Sequence, residues 1–412
     1  MSGPKPTAPA ATAPTKWPLW LILLAAGVII GSTTGMRQVT GLYMPPVTKS
    51  LDIGLTPFST AIAVANLLWG VSGIAAGALA DRFGAGRVAF VGACLMMLGY
   101  YAMYAATSGA DLLWSGVAIG VGVGCCGMSV MVGVVGRAAT PDKRTSAMAS
   151  LGIAVGIGNF IAFPYTHVLM ETFGWKGSII AVIVTLAAVT PLAVLISGRT
   201  TAVPGAPRRQ TIGEAFTEAF SMSRYWLLFC GFFVCGFHVA FYSVHLPAYA
   251  ASLGLESWVS VTALTAVGVA NIIGAILAGQ STRFLKMKHT LSLIYFTRCF
   301  VFLGLLFAPI NAWTLIGLST ALGFVWLATV PLTSSMVATF FGTTWLSMLF
   351  GFVMFSHQLG AFLGVWLGGV LFDMTQSYDA MWWIAIAVGL MAALLHLPIR
   401  EEAVPRLKGQ AA

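Results

Sequence analysis

Apolar residues fill this chain in long runs, and polar and charged residues collect in the short stretches between them. Runs of about 20 apolar residues match the length of a membrane-spanning helix. Twelve are predicted, at 18–43, 57–80, 86–107, 111–136, 145–168, 177–197, 224–250, 257–280, 290–309, 312–337, 345–371 and 379–398. The expected fold class is therefore an all-α membrane protein with twelve transmembrane helices. Residues 1–16 are rich in Pro, Ala and Thr and read as a disordered tail. Trp17–Ile30 has the apolar character of a signal peptide, but its run continues to Tyr43 and eleven more follow.

The first half of the pattern reappears in the second at a shift of 201 residues. Gly35-Met36-Arg37 answers to Gly236-Phe237-His238, Pro46 to Pro247, Gly73 to Gly274, and Arg82-Phe83 to Arg283-Phe284. A chain built twice from long apolar segments is the usual construction of a secondary transporter. The organisation expected is a six-helix bundle over 17–198, a linker over 199–223, a second six-helix bundle over 224–399 and a tail over 400–412. The linker holds Pro204, Pro207, Arg208, Arg209, Glu214 and Glu218, with a short surface helix expected from Thr211.

Composition narrows the solvent. The 412 residues are 58% hydrophobic and 8% charged, whereas a soluble domain needs about 25% charge. Such a shell must face lipid. The 46 glycines suit helices that pack closely without a hydrophobic drive between them. All six cysteines lie in apolar stretches without metal-type spacing, so no metal and no cofactor is expected. No nucleophile–base set or phosphate loop appears, and an enzyme is not expected.

The net charge of +9 invites a nucleic-acid reading, but its distribution explains it otherwise. Seventeen lysines and arginines fall on one set of alternate loops and tails, and only Lys49 and Lys176 on the other. That asymmetry places both termini in the cytoplasm of a multi-pass cell-membrane protein, with no nucleic-acid partner. A monomer is expected.

The loop after the second span reads Gly77-Ala-Leu-Ala-Asp81-Arg82-Phe83-Gly84-Ala-Gly86-Arg87. It resembles the signature loop of the major facilitator superfamily. The second copy, Gly279-Gln-Ser-Thr-Arg283-Phe284-Leu-Lys-Met-Lys288, has Thr282 where the first has Asp81. The resemblance implies two pseudo-symmetric bundles around a central cavity that opens to each side in turn. It also implies that Asp81, Arg82 and Arg87 form a conformational gate. Within the superfamily the stretches 35–46 and 236–247 resemble the monocarboxylate and oxalate/formate branch. The anion-binding arginine those carriers place in span eight has no counterpart in Ile272–Gln280.

No acidic residue lies in mid-membrane by this reading, so the carboxylate chemistry of many sugar symporters and cation exporters is poorly matched. The ionisable groups inside are basic. An arginine at a helix centre costs about 2.5–3.5 kcal/mol even on the lenient insertion scale, so it needs a wet cavity and a partner. For Arg37 the available partner is an anionic substrate, whose carboxylate fits a guanidinium fork. Snorkelling to the interface is the plainer alternative. Arg298, on a span normally peripheral, is expected to brace its bundle, with a second anion contact as the alternative.

His238, Tyr242 and His245 share a helical face with Phe241 and Tyr249. They are candidate substrate or proton ligands, or else a packed aromatic stripe with satisfied histidines. His238, at the repeat position of Arg37, is expected to face it across the cavity. Gln38, Asn66, Asn271, His357 and Gln358 complete the candidate substrate-binding set. Tyr100, Tyr101 and Tyr104 are expected at the lipid or the interface. The glycines of span five, Gly152, Gly156 and Gly158, read as a packing face.

The functional expectation is a carrier of a small organic anion, with a monocarboxylate as the expected class, working by alternating access with protons as co-substrate or by anion exchange. The alternatives are an exporter of amphipathic compounds and a sensor that binds without translocating.

Overall fold

The computed structural model describes residues 17–139, 144–197, 211–342 and 345–408. The expected disordered tail, the part of the linker before Thr211 and the last four residues lie outside them. The spans are α1 (Leu19–Leu51), α2 (Leu55–Phe83), α3 (Ala85–Ala105), α4 (109–138), α5 (144–173), α6 (175–194), α7 (Ser223–Ser252), α8 (Ser257–Ser281), α9 (Met287–Phe307), α10 (Ala312–Phe341), α11 (Leu346–Thr375) and α12 (Asp379–His396). Helices α5 and α6 run on as one trace, Arg144–Val189, broken at Gly174 with φ 68° and ψ 174°. Only glycine adopts that conformation without strain, so one residue turns the chain back across the membrane.

Three spans are not continuous. Helix α1 runs Leu19–Gln38, tightens into a 3-10 turn at Val39–Tyr43 and resumes at Met44–Leu51. Pro45 and Pro46 fall in the first turn of the resumed segment, where a missing N–H costs nothing. The predicted span end at Tyr43 was therefore too early. Helix α4 breaks at Gly127, between Gly109–Cys126 and Met128–Ala138. Helix α10 breaks at 325–328, between Ala312–Phe324 and Thr329–Phe341. Gly127 and Ala328 are one repeat apart, so both halves carry the same discontinuity.

Glycines set the helix crossings, and the repeat reappears in them. A Cβ on Gly35 of α1 would lie 2.6 Å from the Gly158 carbonyl of α5. A Cβ on Gly236 of α7 would lie 1.8 Å from the His357 carbonyl of α11. Likewise α2 packs on α4 at Gly116 and Gly120, and α8 on α10 at Gly274 and Gly323. Without a hydrophobic drive between helices in lipid, such backbone proximity supplies the packing energy. Gly158 bears out the packing reading of span five, whereas Gly152 and Gly156 have no atom within 4 Å of an added Cβ.

The two bundles meet through α2 with α11, through the 144–189 trace with α8, and through α1 with α7. Contacts close the end that carries Lys49 and Lys176. A Cβ on Gly41 would lie 2.7 Å from the Ser243 carbonyl of α7. Asp373 of α11 accepts the Leu55 and Thr56 N–H groups of α2, each at 2.7 Å. Ser257 donates to Glu171 at 3.2 Å. Toward the opposite end, Met128–Ala138 packs on α1, α2, α3 and the 144–189 trace. There Thr329–Phe341 packs on α7, α8, α9 and α11. Each of these half-helices thus packs within its own bundle. At that end the helix Ile212–Phe220 is capped by a Thr211–Glu214 box, and Arg406 reaches Glu218 at 3.3 Å.

Candidate functional site

Arg37 sits one residue before the end of the first segment of α1, ahead of the 3-10 turn. Its guanidinium donates to Asn66 Oδ1 of α2 and to Gln38 Oε1, the latter at 3.2 Å. The same guanidinium lies over the Trp69 ring, 4.7 Å from its centroid. Asn66 and Trp69 are three residues apart on α2, so one helical face supplies both a carbonyl oxygen and an aromatic surface. Tyr100 of α3 donates its hydroxyl to the Met36 carbonyl at 2.7 Å and pins the backbone beside Arg37. Among the described residues no carboxylate pairs with Arg37.

Two buried polar atoms near this arrangement have no partner. Asn66 Nδ2 is fully buried, and Gln358 Oε1 of α11 is 3% exposed at its residue. The Gln358 Cβ and Cγ lie where a Cβ on Gly70 would be, at 2.9 Å, one residue beyond Trp69 on α2. Arg37, Gln38, Asn66 and Gln358 are thus brought to α2 from both bundles. An unpaired buried amide atom costs about 1–3 kcal/mol.

Sequence reasoning missed Trp69, and it misplaced Tyr100. Tyr100 is fully buried, against the expectation of a lipid-facing or interfacial tyrosine, whereas Tyr101 is exposed. The available signal for Trp69 was its position three residues after Asn66.

His238 does not face Arg37. Its Nε2–H donates to the Ala385 carbonyl of α12 at 2.8 Å, and its ring stands edge-on to Phe302 of α9 at 4.8 Å. The repeat fixes its depth in the helix but not its rotation, because α1 tightens after Arg37 while α7 continues as a regular helix. Tyr242 bonds Ser319 of α10 at 2.7 Å. His245 donates Nε2–H to the Val365 carbonyl at 2.9 Å and accepts the Tyr378 hydroxyl at 3.0 Å. Phe241, Tyr242, Tyr249 and Phe302 all pack around Trp382. The stripe on α7 is a packed aromatic core with its histidines in use.

Asn271 and Arg298 are occupied by the break in α10. Asn271 Oδ1 accepts the Leu327 N–H at 2.9 Å. Arg298 is fully buried and donates Nε–H and Nη2–H to the Val325 carbonyl, at 3.0 and 2.6 Å, and Nη2–H to the Trp326 carbonyl. Its bracing role accounts for these donors, and the second anion contact finds no geometry here. The His357 ring lies tilted against Phe232, with centroids 5.4 Å apart, and leaves Nδ1 without a partner.

The loop residues Arg82 and Arg87 are exposed, and Arg82 lies over the Phe83 ring at 5.2 Å. The side chain of Asp81 lies outside the described residues. No contact joins Arg82 or Arg87 to the second bundle among the described residues.

The fold and the broken spans define a multi-pass helical membrane carrier. The model of the Major Facilitator Superfamily matches residues 22–343, and the chain belongs to that family. It is 23% identical over 401 residues to an uncharacterised MFS-type transporter, YcxA, of Bacillus subtilis (strain 168), covering 93% of this chain and 96% of the relative. It is 24% identical over 396 residues to monocarboxylate transporter 11 of Homo sapiens, covering 92% and 82%. The crystal structure of a D-xylose-proton symporter superposes with a TM-score of 0.75 at 15% identity, covering 94% of this chain and all of that one. The chain is accordingly a secondary transporter of the major facilitator fold, and its family consists of transporters rather than enzymes.

Proposed function

We propose that this transporter carries a small organic anion, a monocarboxylate being the class that fits best, and that Arg37 receives the carboxylate. The observation behind this is a guanidinium on Trp69 with neutral amide partners and, among the described residues, no carboxylate. Among the described residues its charge meets the ring face and amide carbonyl dipoles, so an arriving carboxylate gains a charge-assisted fork contact. Asn66 Nδ2, buried and unpartnered beside it, is a further donor for the same anion. The human relative named as a monocarboxylate transporter supports the class. Gln38 and Gln358 are proposed as neutral contacts to the rest of the substrate, while His238, Tyr242, His245 and Asn271 support the site from within the second bundle.

By the distribution of lysine and arginine, the closed end carrying Lys49 and Lys176 faces outward and both termini lie in the cytoplasm. Asp81, Arg82 and Arg87 would then join the cytoplasmic contacts of the opposite, outward-open state.

The test is uptake of labelled pyruvate into proteoliposomes, with and without an imposed pH gradient, against a panel of carboxylates and amphipathic dyes. Saturable carboxylate uptake lost in a well-folded Arg37→Gln protein is the expected result. Dye transport alone would favour an exporter, and binding without flux a sensor. Wild-type carboxylate uptake by Arg37→Gln would remove Arg37 from the site.

A further inference from the structure

The break in α10 gathers a second polar cluster, away from Arg37 and within the second bundle. Arg298 of α9 places its fully buried guanidinium there, and Nη1 has no partner. Its Nη2 also reaches Cys235 Sγ of α7 at 3.8 Å. Cys235 is fully buried, and its sulfur lies 3.1 Å from the Thr329 hydroxyl of α10. His357 of α11, with Nδ1 buried and unpartnered, lies on the helix whose backbone meets α7 at Gly236, next to Cys235. The Tyr295 ring lies 5.1 Å from the Arg298 guanidinium carbon.

A buried guanidinium without a counter-charge is costly, and carbonyl dipoles offset only part of that cost. The other titratable groups around it are Cys235 and His238 on α7, Tyr295 and Cys299 on α9, His357 on α11 and His396 on α12, which stacks on Tyr295 at 5.2 Å. Thr329 on α10 adds a hydroxyl. His238 donates its Nε2–H to the Ala385 carbonyl, and His396 donates Nδ1–H to the Ala392 carbonyl. No carboxylate belongs to this cluster among the described residues. Cys235 is the group that can become an anion at contact distance.

The half-helices set the signs of the two charges. Val325 and Trp326 are the carbonyls at the C-terminal end of Ala312–Phe324, where the helix dipole favours a cation. Thr329 opens Thr329–Phe341, where the dipole favours an anion. Arg298 occupies the first position and Cys235 Sγ touches the second. We infer that Cys235 is a thiolate paired with Arg298 across the break in α10, and that it is the carrier's proton-binding site.

In this site a hydronium ion gives its proton to the Cys235 thiolate: the S–H bond forms, one O–H bond of hydronium breaks, and water leaves with no change of oxidation state. The thiol no longer compensates Arg298, and the Thr329 hydroxyl loses an anionic acceptor. Across the break, the bonds of Arg298 to the Val325 and Trp326 carbonyls and of Asn271 to the Leu327 N–H then remain. Protonation thereby changes the energy of the discontinuous helix that must move when the bundles rock. Gln358, the sequence neighbour of His357, meets α2 at Gly70.

The inference on the thiolate stands apart from the anion reading, and only its coupling role rests on it. The test uses the full chain with Cys94, Cys125, Cys126, Cys230 and Cys299 changed to Ala, so that Cys235 is the single thiol. The infrared S–H stretch and the ultraviolet thiolate band are followed against pH in detergent. Expected are one thiolate and no S–H band at neutral pH, the S–H band appearing on acidification, and the S–H band present at neutral pH in Arg298→Gln. An S–H band at neutral pH in the Arg298-containing protein overturns the assignment. Should Arg298→Gln fail to fold, Cys235→Asp provides the second arm. It restores an anion, so its folded yield should match wild type, whereas Cys235→Ala should fall below it.

For coupling, Cys235→Ser is assayed with labelled pyruvate. Exchange between equal pools should persist while accumulation driven by a proton gradient is lost. Full accumulation by Cys235→Ser removes the coupling role. No pyruvate flux in the wild type would count against the anion reading and leave the spectroscopic result to decide the thiolate.

Discussion

Asp373, at the last turn of α11, caps α2 of the other bundle at Leu55, with Oδ1 2.7 Å from the Leu55 nitrogen. Its Oδ2 takes the next donor, Thr56, at the same distance. The first N–H groups of a helix have no partner within it, and the dipole there favours a negative charge. The carboxylate ties the two bundles together at the end where they are closed. A cap of this kind is worth about 0.5–2 kcal/mol. Asp373→Ala should shift the protein toward the state open at that end. Spin labels at Asp52 and Gln376 should report a longer distance in the variant, and an unchanged distribution would mean that other contacts hold the closure.

Gly41 brings α1 against the backbone of α7. An added Cβ would stand 2.7 Å from the Ser243 carbonyl and 2.8 Å from Val244 Cα, both backbone atoms that cannot move aside. Gly41→Val should fold, because these contacts join bundles rather than build one. It should fail to close and lose transport. A cysteine at Ser59, fully buried where α2 meets His245 of α7 and Gly369 of α11, should become reactive to an impermeant maleimide in the variant. Loss of folded protein would instead place Gly41 in the stability of its own bundle.

Arg37 and Trp69 should respond differently to conservative change. Arg37→Lys keeps the charge but loses the planar fork that stacks and binds in two places. Its transport should fall at least as far as a weakened KM, with little recovery at saturating substrate. Trp69→Phe keeps a ring, and cation–π contact is weaker with Phe than with Trp. It should retain part of the flux, while Trp69→Ala should retain less. Equal activity in Trp69→Ala and wild type would show the ring to be packing only.

The topology carries its own test. Single cysteines at Lys49 and Lys176 should label from outside intact cells, and those at Arg87 and Lys286 should not. Labelling at Arg87 would invert the assignment of the closed end.

The run lengths, the duplicated pattern and the signature loop were enough to specify twelve spans and their pairing into two bundles. A segment surrounded by lipid must satisfy its backbone within itself, so apolar length almost dictates helix. Position within the spans was legible in the same way, and Arg37 was marked by the cost of a charge inside the membrane. Rotation was not legible. A 3-10 turn after Arg37 and a regular helix after His238 send two repeat-related residues in different directions. The partner of Arg298 was also out of reach, because it is the backbone of a helix break at 325–328 and no side-chain pattern announces it. Local periodicity determines that a segment is a helix at a given depth. Which face it turns inward, and which unpaired groups meet there, depends on glycine-set crossings between segments far apart in the chain, and only the tertiary structure decided them.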